Sequence, residues 1–208
     1  MYLSRVKLNS RRRDTIRALA SPQIIHASVE ASFPSTDINN RNLWRMDTFS
    51  GHYWLIVLSR QKPDFTHIVE QFGWPASDQK WETKNYGLFL GHIKKEQVWR
   101  FRLCANPVYS AITEEYKQGK LYPHVTNRQQ KEWLYKRAEK NGFIVSEDLR
   151  IIERDIKRFS HGENYVTLSV AVFEGVLSVE NEELFTNALR FGIGRAKAYG
   201  CGLLTLAK

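Results

Sequence analysis

The stretch Phe191-Gly192-Ile193-Gly194-Arg195-Ala196-Lys197-Ala198-Tyr199-Gly200-Cys201-Gly202, near the C-terminus, governs how the rest of the chain is read. Glycines at 192, 194, 200 and 202 bracket two cations, Arg195 and Lys197. Without a Cβ, glycine reaches φ > 0 and lets backbone come close to a ligand. Amides turned one way beside cations form a concavity suited to phosphate. A turn that only packs a helix against a strand is the plainer alternative. Two nucleotide motifs are excluded by context. A dinucleotide fingerprint follows a strand and opens a helix, whereas this segment follows a helical pattern and leads into the apolar run Leu203-Leu204-Thr205-Leu206. A P-loop needs Gly-Lys-Ser/Thr, which is absent.

Outward from that segment, the chain reads as the same order of elements twice. Tyr2 to Leu8 alternates as a strand, and Ser21-Pro22 opens a helix that runs to about Ser32 before Pro34. Leu43 to Thr48 and His52 to Ser59 form a hairpin around Ser50-Gly51. Phe65, Ile68, Val69 and Phe72 mark a short helix capped by Asp64 and closed by Gly73, and Tyr86 to Ile93 reads as a fourth strand. After the charged linker Lys94-Lys95-Glu96-Gln97 the order restarts, with a strand at Trp99 to Leu103 and a helix from Gln129 to Asn141. A long hairpin follows, Asp148 to Phe159 and Tyr165 to Val179, turning at Ser160-His161-Gly162-Glu163-Asn164. Asn181 caps a helix with Glu182 and Glu183 in its first turn. Val108 to Arg128 fits no element and reads as a long loop. The expected fold is α+β, two tandem ferredoxin-like (RRM-like, βαββαβ) domains over residues 1–93 and 97–208, with the glycine-rich loop before the last strand.

Of 208 residues, 31 are Lys or Arg and 22 Asp or Glu, a formal charge of +9. That balance favours a polyanionic partner. Apolar runs are too short to span a bilayer, and Met1-Tyr2-Leu3-Ser4-Arg5 is no signal peptide. With only Cys104 and Cys201, neither a disulfide scaffold nor a cysteine zinc site is expected. The chain reads as cytoplasmic, with reduced thiols, no membrane contact and no cofactor.

Cations gather in three places: Arg5, Lys7, Arg11, Arg12 and Arg13; then Arg150, Arg154, Lys157 and Arg158 along the second hairpin; then Arg195 and Lys197. A solvated surface is the ordinary fate of each. Together they can line a groove between two sheets, and an arginine-bearing hairpin suits an A-form duplex read by its shape. None of the six histidines pairs at a zinc spacing with a third ligand nearby. His26 lies on the flank of a helix with Glu30 one turn on, where imidazole can meet a ligand while the helix holds it; a bland surface histidine is the alternative. RNA can be cut without a metal, because its 2′-OH attacks the adjacent phosphorus once oriented and once charge on the phosphate is stabilised. No carboxylate cluster suggests a two-metal nuclease.

Met1-Tyr2-Leu3-Ser4, Ile24-Ile25-His26, Arg102-Leu103-Cys104-Ala105-Asn106-Pro107, Phe173-Glu174-Gly175-Val176-Leu177 and the block from Gly192 to Leu204 together resemble the CasE family, the CRISPR-associated endoribonucleases of type I-E systems. The landmarks run through the whole chain in family order. The resemblance implies metal-independent cutting of precursor CRISPR RNA at the 3′ base of a repeat hairpin. It also implies that the crRNA is retained and that the other Cascade subunits are partners. His26 falls on the catalytic histidine, and Arg154, Lys157 and Arg158 fall in the hairpin that grips the RNA stem. Many members carry tyrosine three residues before the histidine; here it is Gln23, which can orient a phosphate but is a poor proton donor. Gln23 and Lys197 are therefore expected to hold or neutralise the scissile phosphate beside His26. Arg11, Arg12, Arg13, Arg195 and the glycines 192, 194, 200 and 202 are expected to contact RNA. A non-catalytic subunit that only holds the crRNA handle, and a generic RRM-like RNA binder, are the alternatives.

Overall fold

A computed structural model describes residues 1–34, 41–113, 116–162 and 164–208. Glu163, expected in the turn of the second hairpin, lies outside them.

β1 (Tyr2–Leu8) is central in the first sheet because its alternation serves two cores. Val6 and Leu8 face the helices, while Leu3 packs into a second buried layer. β2 (Leu43–Phe49) and β3 (His52–Ser59) form the expected hairpin. With β4 (Trp81–Asn85) the sheet runs β2-β3-β1-β4, antiparallel throughout, the strand order of a ferredoxin-like fold. α1 (Arg13–Ala20), α2 (Pro22–Glu30) and α3 (Thr66–Phe72) cover one face, burying Ala18, Ile25, Val29, Ile68, Val69 and Phe72.

Three expectations change here. α1 was not foreseen, because it buries only Thr15 and Ala18 and turns Ile16 outward, which leaves no readable apolar stripe. Ser21 does stand at the N-cap of α2, yet its side chain makes no capping bond; Pro22 at the first turn carries the start. The fourth strand is Trp81–Asn85, and Tyr86–Leu90 is a helical turn, α4. Asn85 accepts the Gly87 amide, and Tyr86 and Leu90 are buried four residues apart while Leu88 is exposed. That is helical rather than alternating burial.

The second sheet runs β11 (Leu204–Ala207), β5 (Val98–Ala105), β10 (Asn164–Val179), with two strands sharing the far edge of β10. β8 (Phe143–Val145) pairs with Leu177 to Val179, and β9 (Arg150–His161) with Asn164 to Glu174. α5 (Asn127–Lys140), opened by a Thr126/Gln129 capping box, and α6 (Glu182–Phe191), capped by Asn181, cover one face. Trp133, Leu134, Phe185 and Leu189 meet Leu103, Phe173 and Leu177 there. The region read as a loop instead holds a hairpin, β6 (Val108–Thr113) with β7 (Tyr116–Pro123), in which Tyr109 stacks on Tyr122 at 5.8 Å between ring centroids.

The linker is short and tied down. The Glu96 amide donates to the Val179 carbonyl at 2.8 Å and Glu182 accepts the Lys95 amide at 3.1 Å. The buried layer of the second half continues into the first through Leu43, Leu58, Tyr86, Leu90 and Ile93. Arg45 bolts the sheets together. Its Nε and Nη2 donate to the Asp47 carboxylate, each at 2.7 Å. Nη1 donates to the carbonyls of Arg102 and Leu203, both at 2.9 Å, and Nη2 also to Thr205 Oγ1 at 2.8 Å. All five guanidinium N–H groups are thereby used, as a 2% exposed arginine requires.

Candidate active site

α2 holds His26 on its flank, with Ile25 and Val29 anchoring the helix in the core on either side. The His26 side chain is 35% exposed, and its Nδ1 lies 3.8 Å from Glu30 Oε1. Glu30 Oε2 also accepts from Asn42 Nδ2 at 3.3 Å, which ties the end of α2 to the approach to β2. Gln23, half-buried, precedes His26 by three residues on the same side of the helix.

The glycine segment turns across to meet this helix. After α6, Gly192 takes φ +73° and Gly194 φ +83°; Ala196 is left-handed at φ +59°, and a 3-10 turn at Lys197–Tyr199 ends at Gly200. α2 packs against this turn, and so does β2. α2 also approaches β9. Helix, turn and hairpin thus converge, and His26, Lys197 and Lys157 are supplied from the three sides.

Lys197 is half-buried, and burial, then the Arg41 charge, hold its pKa below the usual lysine value. Arg41 is a contributor that the sequence reading missed; no periodicity marks the stretch before β2. Tyr199, also not singled out, seats its ring against Phe159 at 4.8 Å. Ala196 and Tyr199 cover Cys104, Phe159, Leu168, Val170 and Cys201, fastening the turn to the second sheet. A hydrogen bond shared with Cys104, and complete burial, push the Cys201 thiol well above its usual range, so it stays protonated.

Each glycine has a packing reason. A Cβ at Gly200 would stand 2.8 Å from the Trp44 ring, at Gly192 2.8 Å from the Gly202 carbonyl, and at Gly194 3.1 Å from Trp133. A Cβ at Gly202 would meet the Ile193 carbonyl and the Lys197 stem, both at 3.1 Å. The amides of Ile193 and Gly202 donate internally, to the Gly202 and Cys104 carbonyls. Those of Gly194, Arg195 and Ala196 donate to no other group among the described residues, and Arg195 is exposed beside them.

The remaining cations do not form one patch. On β9, Lys157 shares a face with Phe159 and so with the turn, while Arg154 and Arg158 point the other way. Arg154 donates to the Val125 carbonyl. Arg12 donates to the Glu70 carbonyl at the end of α3, whereas Arg11 and Arg13 stay exposed at the start of α1. Among the described residues no group of three His, Cys, Asp or Glu could hold a metal ion, and no helix is long and apolar enough to cross a membrane.

A family model described as "CRISPR associated protein" matches residues 1–208. The CRISPR-associated endoribonuclease Cse3 of Thermus thermophilus is 29% identical over 222 aligned residues, covering 100% of both chains. The Cascade subunit CasE of Escherichia coli is 29% identical over 51% of this chain and 56% of its own. The Thermus thermophilus Cse3 structure bound to an RNA representing a pre-cleavage complex superposes with TM-score 0.83 at 25% identity, over 100% of this chain and 98% of that one.

Proposed function

The chain belongs over its whole length to the CRISPR-associated protein family, and from that premise we propose that it is a CasE-type endoribonuclease of the type I-E systems. It cuts precursor CRISPR RNA at the 3′ base of the repeat stem-loop and keeps the crRNA as a subunit of Cascade, in the cytoplasm. The observation that carries this reading is the packing of α2, with His26, against the turn that presents Lys197.

The reaction is a transesterification. The 2′-oxygen next to the scissile phosphate bonds to phosphorus as the P–O5′ bond breaks, leaving a 2′,3′-cyclic phosphate and a 5′-OH. One proton leaves the 2′-OH and one must reach O5′. His26 exchanges a proton with one of these oxygens, from a rigid helix and with solvent access. The Lys197 ammonium, sheltered from water, neutralises charge growing on the phosphate, where low local dielectric makes it count. Gln23 donates an amide hydrogen bond to a phosphate oxygen without exchanging a proton. No step calls on a metal or a cofactor.

Division of labour follows the two halves, residues 1–93 and 97–208. The first brings His26, Gln23 and the flanking Arg11, Arg12 and Arg13, of which Arg12 already serves α3. The second brings Lys197 and Arg195, the glycine turn at 192, 194, 200 and 202, and Arg154, Lys157 and Arg158 on the hairpin that grips the stem.

Incubation of the chain with labelled repeat hairpin in EDTA should yield one cut with a cyclic phosphate on the upstream product. His26→Ala should bind the hairpin as tightly and leave it uncut. Cutting by the variant at the native rate would remove His26 from the chemistry. Binding without cutting by the native chain would leave the handle-holding reading in its place.

A further inference from the structure

An open cleft of about 590 Å³ lies on the first sheet's other face, with the sheet between it and α2. Trp54 and Lys7, partners across β3 and β1, form its floor. The Arg5 guanidinium sits 4.9 Å over the Trp54 ring centroid and is held there by Glu82 at 2.7 Å. The loop from Trp74 to Lys80 makes one wall, with Trp74 39% exposed. Trp81 pins the end of that loop by meeting Phe65 edge-on at 6.1 Å. His52 and Lys80 stand at the rim.

We propose that this cleft is a second RNA site, which takes one or two unpaired nucleotides and is separate from the hairpin-cutting site. The proposal rests on the reading that RNA is the ligand of this chain. Every base has a π-face, and half-exposed tryptophan is the side chain that rewards its stacking whatever the base. Arg5, oriented by Glu82, lies over the Trp54 ring, and the outer face of its planar guanidinium offers a further stacking surface backed by that ring. Glu82 is the one carboxylate lining the cleft, and it faces Arg5. Lys7 and Lys80 have no acidic partner among the described residues, so the surroundings are net positive, which suits phosphates better than an acidic or neutral peptide. The volume lies within the roughly 300–1,000 Å³ of small-molecule sites, room for a base and its ribose.

The test uses the full chain and two octanucleotides, one of uridine and one of adenosine, read by tryptophan fluorescence. Each titration is run with and without a saturating repeat hairpin made uncleavable by a 2′-deoxy sugar at the cut. Both oligonucleotides should quench fluorescence, and the hairpin should not displace them. Trp54→Ala and Trp74→Ala should each weaken their binding about tenfold, with hairpin cutting unchanged; Trp74 lies on the exposed loop, so its variant keeps the test open if Trp54→Ala unfolds. Displacement by the hairpin, or affinity untouched by both variants, would overturn the proposal. Were the oligonucleotides not to bind while other Cascade subunits shielded the cleft, it would be a protein-docking surface and the proposal would fall. Failure of the native chain to bind or cut the repeat hairpin would sink the hairpin reading alone and leave the hairpin-free titrations standing.

Discussion

Lys197 illustrates how one side chain's surroundings set its chemistry. Burial and Arg41 lower its pKa, so in the folded chain the ammonium loses its proton at a lower pH than a free lysine, whose value is about 10.5. If the ammonium neutralises the phosphate, single-turnover cutting should fall on the alkaline side ahead of that value. Arg41→Ala should shift the fall to higher pH. The stability sign runs the other way. A folded pKa below the unfolded one means that protonating Lys197 costs stability, a cost absent above the unfolded pKa and complete below the folded one. Lys197→Met should therefore not lower the melting temperature at pH 7 while it slows cutting. Gly200 offers a second residue-level test. Alanine there meets the Trp44 ring at 2.8 Å as well as a left-handed backbone at φ +82°, whereas Gly51, at φ +73°, has open space. Backbone strain alone costs about 1–2 kcal/mol, so thermal melts should show Gly200→Ala well below Gly51→Ala. That His26 lies on a helix and Lys197 in a glycine turn was legible from the sequence, because a helix start and a glycine pattern mark those two elements. Arg41 and Tyr199 were not, because what places them is a fold-back between distant segments.

Among the elements, β9 decides what its cations can do. Lys157 faces the turn and Arg158 faces away, though they are adjacent in sequence. Lys157→Ala should slow the cut at saturating protein. Arg158→Ala should leave that rate unchanged and reduce the log–log salt slope of hairpin binding by about one. An equal effect of both variants on rate would mean that the RNA wraps both faces of the ribbon. The long hairpin, α5 and α6 were readable because period and caps agree. α1 and the Trp81–Asn85 strand were not: the helix buries two small residues, and the strand, Trp-Glu-Thr-Lys-Asn, is edge-like and polar. The hairpin of Val108–Thr113 with Tyr116–Pro123 was missed for a related reason, since its Tyr109/Tyr122 pairing is visible only across strands.

For the molecule as a whole, the repeated βαββαβ order was readable, but the joint between its two copies was not. Arg45 sits in Leu-Trp-Arg-Met-Asp, where a lone cation in an apolar strand resembles an outward-facing position, yet it is buried and fully bonded across both sheets. Arg45→Ala would remove both short bonds to Asp47, leaving it only the 3.6 Å approach of Arg102, and would take a donor from the Arg102 and Leu203 carbonyls. It should cost about 3–5 kcal/mol in a denaturant titration, a loss that a surface pair such as Arg128–Glu132 would not show.

The buried layer that Leu43 and Leu58 share with Phe101 and Leu103 is common property of both halves. A chimera grafting one half onto a relative's counterpart would bring together surfaces that never fitted each other. Such a transplant has to carry that layer and the Arg45 bolt along with it, or the seam between donor and recipient is left unsealed.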